Sequence, residues 1–222
     1  MRVKSKVKPS VRILNGWHDY NDGDIGKAHF VDGRKHRLDG PAYVGANGSK
    51  AWYVNGVCHR LDGPAIEKVN GEKLWYVEGK YHRLDGPAIE WANGTKEWYF
   101  DGKLHREDGP AYEETDGTTC WYDNGNLHRL DGPAVIWANG TTQWYVNGKC
   151  HRLDGPAIEW ANGTKEWWIN GERHRLDGPA IEGANGYREW WIQGTKVDIS
   201  LIDYEGTRPL TDEEMTYLLL CA

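Results

Sequence analysis

The histidine, arginine and aspartate of one heptapeptide, His-Arg-Leu-Asp-Gly-Pro-Ala, are the residues best suited to chemistry in this chain. They recur every 23 residues, beginning at His36, His59, His82, His105, His128, His151 and His174, with Glu107 in place of Leu as the one internal variant. A His beside an Asp is common material for general acid/base work, because imidazole titrates near neutral pH. Seven copies argue against that use. A catalytic site needs several different groups converging on one reacting atom, and such asymmetry tends to be unique in a chain. Metal binding by the His row fails on distance: a two-strand repeat advances about 9 to 10 Å, whereas two ligands of one zinc each lie about 2 Å from it. No Gly-rich phosphate loop followed by Lys-Ser/Thr and no nucleophile context stands out in the sequence. The expectation is a protein that is not an enzyme and uses no cofactor or metal.

Binding is what such rows can do. Arg60, Arg83, Arg106, Arg129 and Arg152, with His82, His105 and His128 beside them, form a ladder of donors for phosphate or carboxylate. With Tyr76, Tyr99, Tyr122 and Tyr145 on an exposed face, the ladder combines charge and stacking, which suits a nucleotide-like small molecule. The competing reading is an internally neutralised ladder, since every Arg has an Asp two residues on; Asp and Gly then make a tight turn and Asp accepts backbone hydrogen bonds. Extended repeat surfaces also serve protein partners, and there the departures from repetition carry specificity. Those departures are Glu107, Glu114, Cys120 and Asp123 in the fourth repeat, and Gly45 and Gly183 where Trp91, Trp137 and Trp160 stand elsewhere.

The apolar inventory is unusual: thirteen Trp and twelve Tyr against two Phe and two Met, among 222 residues. Burial through amphipathic rings suits a thin sheet with two wet faces better than a thick oily core. The net charge of −6 argues against nucleic acid as a partner, for which a basic stripe is expected. The ends differ in charge. Met1 to Ser10 carries Arg2, Lys4, Lys6 and Lys8, whereas Val197 to Ala222 carries Asp198, Asp203, Glu205, Asp212, Glu213 and Glu214 against Arg208. Cys58, Cys120, Cys150 and Cys221 show no close-paired spacing, so free thiols in a reducing compartment are expected. Without a signal peptide or a long apolar run, the expected home is the cytoplasm.

The elements that must position these rows are short strands. Asn-Gly or Asp-Gly falls at 47-48, 70-71, 93-94, 116-117, 139-140, 162-163 and 185-186, a pair favoured in two-residue hairpin turns where both residues take positive φ. A second glycine recurs at Gly56, Gly79, Gly102, Gly125, Gly148, Gly171 and Gly194. Between turns lie segments such as Ala88 to Trp91 and Lys96 to Phe100, rich in β-favouring residues, and each repeat is read as one β-hairpin. Trp52, Trp75, Trp98, Trp121, Trp144, Trp167 and Trp190 are expected to form the buried spine, with the following aromatics on the opposite face. The domain plan is an N-terminal cap over 1–35 with a degenerate half-repeat, seven repeats over 36–196, and an acidic C-terminal cap over 197–222. In that cap, Thr211-Asp212-Glu213-Glu214 signals an N-capped helix over about 211–220, placed to cover the last strand edge.

The 23-residue period, the aromatic-x-x-Asn-Gly-Lys stretch and the His shortly after it resemble the MORN (membrane occupation and recognition nexus) repeat, over about residues 25 to 196. Trp98, Gly102 and His105 fit the Trp, Gly and His places of that motif. The Tyr-x-Gly before the MORN Trp is absent, and the heptapeptide stands where the family has a shorter His-Gly-x-Gly. The resemblance implies an all-β, elongated, single-layer antiparallel sheet of stacked hairpins, a MORN-like solenoid, here with a short C-terminal capping helix. The His-Arg-x-Asp-Gly-Pro-Ala variety is similar to repeat proteins of bacteriophages and large DNA viruses, which implies a viral protein acting in the host cytoplasm. The expected function is a binding scaffold for a host or viral protein that inhibits a host defence process; the alternative is a sponge sequestering a nucleotide-type immune signal. Two aromatic rows on a thin sheet also allow a homodimer through a sheet face or edge.

Overall fold

Two glycine turns shape each repeat, and they differ in kind. In the computed structural model, which describes residues 14–21, 25–205 and 208–222, both residues of the second turn are left-handed, for example Asn147 (φ 50°) and Gly148 (φ 76°). This is the two-residue type I′ hairpin, whose twist matches that of the strands it joins. The first turn takes positive φ only at its glycine, as at Gly140 (φ 87°). Gly140 N–H donates to Trp137 O at 2.9 Å and Trp137 N–H to Thr141 O at 2.9 Å, while Asn139 Oδ1 accepts from Thr141 N–H at 2.9 Å. That is a type I turn closed by a glycine bulge, with Asn acting through its side chain rather than its backbone. The expectation of positive φ at both residues of the Asx-Gly pairs at 47-48 onward is thus corrected; it belongs to the other turn.

Each repeat accordingly holds two hairpins instead of one. In the second repeat, Ile66–Glu67 pairs with Lys73–Leu74 around the first turn, and Tyr76–Val77 pairs with Lys80–Tyr81 around the second. Trp75 lies between them, outside both ladders. Among the described residues the β-pairings are antiparallel, so the fold is all-β, built of hairpins, with a short C-terminal helix.

The chain divides into two compact units, Met1–Ala92 and Asn93–Ala222. In the first, Gly16–Asn21 pairs with Ile25–Val31, and the ladder continues through Tyr43–Gly45, Lys50–Ala51, Ile66–Glu67, Lys73–Leu74 and Ile89–Glu90. In the second, it runs from Lys96–Glu97 through Tyr112–Glu113, Thr119–Cys120, Val135–Ile136, Thr142–Gln143, Ile158–Glu159, Lys165–Glu166 and Ile181–Glu182 to Arg188–Ile192. Beside each ladder stand the separate type I′ hairpins, joined from repeat to repeat by bonds such as Gly148 N–H to Leu127 O at 2.9 Å. The basic segment 1–10 lies outside the described residues.

The spine is alanine rather than tryptophan. Ala42, Ala65 and Ala88 in the first unit, and Ala111, Ala134, Ala157 and Ala180 in the second, are each 0% exposed, while the Trp row is half-buried. Because the chain changes ladders at Trp98, the alternation that would place Trp98 and Phe100 on one buried face does not persist, and Phe100 is exposed. The Trp backbone locks the spine instead: Trp144 N–H donates to Ala157 O at 2.7 Å. Thr118 and Thr141, buried beside the first turn, accept through Oγ1 from the turn N–H of the next repeat, Ala138 and Ala161, at 3.1 Å.

The C-terminal helix, Asp212–Leu220, is capped by Thr211, whose hydroxyl accepts from Glu214 N–H while the Glu214 carboxylate accepts from Thr211 N–H at 2.8 Å. Its Leu218 packs with Ile192, Val197 and Leu210 over the last hairpin. No helix among the described residues is long and apolar enough to cross a membrane.

Candidate functional site

The turn that precedes the alanine spine is built around a stacked arginine. In the second repeat the Arg60 guanidinium lies 4.0 Å from the Trp52 ring centroid. It donates from Nε to Asp62 Oδ1 at 2.9 Å, and from Nη1 to Pro64 O and Glu67 Oε1, each at 3.1 Å. Gly63 is packed against the guanidinium, where an added Cβ would meet the guanidinium carbon at 3.0 Å. Cation–π stacking and charge-assisted bonds thus consume Arg, Asp, Gly and the Pro carbonyl of one heptapeptide in a single assembly. Arg83, Arg106 and Arg152 repeat it over Trp75, Trp98 and Trp144. Arg129 keeps Trp121, Asp131 and the Pro133 carbonyl, but Ile136 occupies the place of Glu67. The arginine holds each partner Asp below the usual carboxylate range, first through the side-chain hydrogen bond and then through its charge, as at Asp62, Asp85, Asp108, Asp131 and Asp154.

The histidines hold the type I′ turns. His59 Nδ1 accepts from Glu78 N–H at 3.1 Å, His105 Nδ1 from Asn124 N–H at 3.3 Å, and His128 Nδ1 from Asn147 N–H at 3.2 Å. At His82 the backbone N–H donates to Trp75 O at 3.1 Å. The tyrosines are half-buried. Tyr76 stacks on Tyr81 with ring centroids 4.3 Å apart, Tyr99 donates to Glu97 Oε2 at 2.8 Å, and Tyr145 to Gln143 Oε1 at 3.4 Å. Burial raises the phenol pKa of Tyr76, Tyr122 and Tyr145.

Half of the residues singled out from sequence meet in one place. A groove of about 750 Å³ between the fourth and fifth heptapeptides is lined by His105, Arg106, Glu107, Tyr122, Asp123, His128 and Arg129, together with Leu130 and Asp131. Asp123, standing where other repeats carry Val, Ile or Phe, places Oδ1 3.0 Å from His105 Nδ1. Glu107 and Asp131 are exposed beside it, and both arginines are already paired, so the groove presents carboxylates. Arg60, Arg83, His82 and Tyr76 belong to the N-terminal unit; Tyr99, Tyr145 and Arg152 lie in the C-terminal unit outside this groove.

Sequence reasoning missed the leucine of the heptapeptide. Leu38, Leu61 and Leu84 in the first unit, and Leu130 and Leu153 in the second, are 79–81% exposed. A signal was present: Leu sits between the Arg and Asp of a tight turn, where no strand can bury it. Searches with protein-family models and against curated proteins return no match to the chain.

Proposed function

We propose that the chain is a non-enzymatic binding scaffold that engages a protein partner through the heptapeptide surface. The observation that carries this reading is the leucine row. Every other side chain of the heptapeptide is engaged in the stacked arginine assembly, the histidine bond to the type I′ turn, or the alanine spine. Leu38, Leu61 and Leu84 in one unit, and Leu130 and Leu153 in the other, project about 80% exposed at the same place in successive repeats, beside aspartates whose carboxylates are bonded to arginine. A single exposed leucine is ordinary, but the same apolar side chain presented in register along a repeat array is the kind of extended surface such arrays offer to partners. Glu107 interrupts the row in the groove where Asp123 also departs from the repeat, giving that surface a unique acidic address.

The likeness of the heptapeptide to repeats of bacteriophage and large DNA virus proteins supports a host or viral protein as the partner, in the cytoplasm, with inhibition of a host defence process as the outcome. The nucleotide-sponge alternative has less support, since each arginine edge toward Asp is already bonded and the groove exposes carboxylates. The test is affinity capture with the intact chain and with a variant carrying Glu107→Leu and Asp123→Val, which restores the repeat consensus. A partner held by the former and lost from the latter is the expected result. Equal capture by both removes the Glu107 and Asp123 address from the interaction; equal capture by a further variant with Leu130→Asp and Leu153→Asp removes the leucine row as well and overturns the reading.

A further inference from the structure

One member of the leucine row is covered by a segment of its own chain. In the seventh repeat Leu176 packs against the cluster of Ile192, Val197, Leu210 and Leu218, and its carbonyl accepts from Leu210 N–H at 2.8 Å. The Tyr204 hydroxyl, which donates to Arg208 O at 2.7 Å, lies 3.4 Å from the same carbonyl. Covering extends over the whole turn: the Asp177 side chain is 62% exposed, against 84% for Asp131 and Asp154, and Gly178 and Pro179 are buried where their counterparts are only half-buried.

The turns beneath are alike. Arg152 bonds Asp154 at 2.9 Å and Pro156 O at 3.2 Å; Arg175 bonds Asp177 at 2.8 Å and Pro179 O at 3.2 Å. Yet Leu130 and Leu153 project, and among the described residues no backbone N–H donates to their carbonyls. The same turn therefore offers the same apolar knob and the same free acceptor in the fifth and sixth repeats of this unit.

Resting on the scaffold reading above, we propose that the Leu130 and Leu153 turns dock a leucine-bearing segment of the partner protein, in the way the Leu176 turn takes Leu210, with Tyr204 beside it, of its own chain. The occupant sets a leucine against the projecting leucine and donates a backbone N–H to its carbonyl, so recognition combines apolar burial with one directional bond. Glu107, one repeat away, ends the run by replacing the knob with a charge.

The experiment uses the full chain with isotope-labelled leucine methyl groups and, as probe, a synthetic peptide copying residues 202–211. The tethered segment keeps its own site, because the chain connection gives it a high effective concentration. Saturable shifts of the Leu130 and Leu153 methyls, with a Kd below about 1 mM, unmoved Leu176 methyls, and loss of the effect with a Leu210→Asp peptide are the expected results. In a Glu107→Leu chain the new leucine responds as well. No saturable shift at these methyls, or an equal shift with the Leu210→Asp peptide, overturns the proposal. Shifts that appear on concentrating the chain without peptide also overturn it, since the occupant is then a second copy. Partner capture that depends on Glu107 and Asp123 while the leucine methyls stay silent sinks this inference and leaves the scaffold reading standing.

Discussion

At the scale of single residues, the recurrence of the heptapeptide follows from contact chemistry. An arginine that stacks on Trp and bonds Asp, the Pro carbonyl and, in most repeats, Glu needs a glycine against it. At Gly132 an added Cβ would lie 2.9 Å from the Arg129 guanidinium carbon. Gly132→Ala therefore displaces Arg129 from Trp121 and Asp131 without straining the backbone, and the expected loss is about 1–2 kcal/mol, read by urea unfolding. Thiol chemistry reports burial in the same way. Burial pushes the Cys58 and Cys150 thiols up to about 12 and Cys120 to about 11, whereas Cys221 is exposed. A thiol reagent at about pH 8 is expected to modify Cys221 alone in the native protein and all four cysteines in urea; rapid native labelling of Cys150 would contradict the packing around Ala157 and Ile158.

At the scale of elements, stability is set by the turns. Left-handed backbone suits Asn, Asp and Gly, yet Glu78 (φ 51°) and Gln193 (φ 47°) occupy the first position of their type I′ turns. Glu78→Asn is expected to stabilise the chain by about 1 kcal/mol, measured as a higher urea midpoint; no change would mean that the turn is held wholly by the His59 bond to its N–H. Thr211→Ala, which removes the helix cap, is expected to cost about 1 kcal/mol and to speed hydrogen exchange at Leu210 N–H as the segment over Leu176 loosens. These elements also show what sequence can carry. The repeat, the strands, the two turn positions and the capped helix were legible because period, Asx-Gly pairs and a Thr-x-x-Glu box are local signals. The type of each turn was not, because Asn serves equally through a left-handed backbone or through its side chain, and only the hydrogen-bond partner distinguishes them. The alanine spine was hidden for a related reason: alternation identifies a buried face only while a strand stays in one ladder, and this chain changes ladders at Trp52, Trp75, Trp98, Trp121, Trp144 and Trp167. Of the candidate site, the sequence singled out Glu107 and Asp123 as departures and His105 and Arg129 as members of rows, but their meeting in one groove came from the structure, and the projecting leucines depended on seeing that their neighbours had all been used.

At the scale of the whole molecule, the repeated ion pairs and buried acids shape the pH range in which the fold is stable. Asp39, Asp62, Asp85, Asp108, Asp131 and Asp154 all titrate below their ordinary value of 3.8 because of the arginine bonded to each, and Glu189 and Glu214 fall to about 2 through Lys196 and Arg208. The folded chain therefore binds fewer protons than the unfolded one in acid, so this stabilisation is present above the ordinary carboxyl range and is lost as pH falls through the folded values. His174 adds an earlier step in the same direction: burial holds it below 6.5, and its contribution is lost as pH falls through that lowered value. On the alkaline side the sign reverses. Cys58, Cys120 and Cys150, raised from 9.0 by burial, stabilise the fold below pH 9.0, and that contribution is lost as pH rises through about 11 to 12. Thermal melts followed by tryptophan fluorescence are thus expected to show a plateau of Tm between 6.5 and 9.0, with decline on both sides. His174→Asn should remove the first acid step while leaving the steeper fall below 3.8, which belongs to the aspartates. A Tm that rose on acidification from 6.5 would require the folded chain to bind more protons than the unfolded one in that range, and would contradict the burial that holds His174 below its ordinary value.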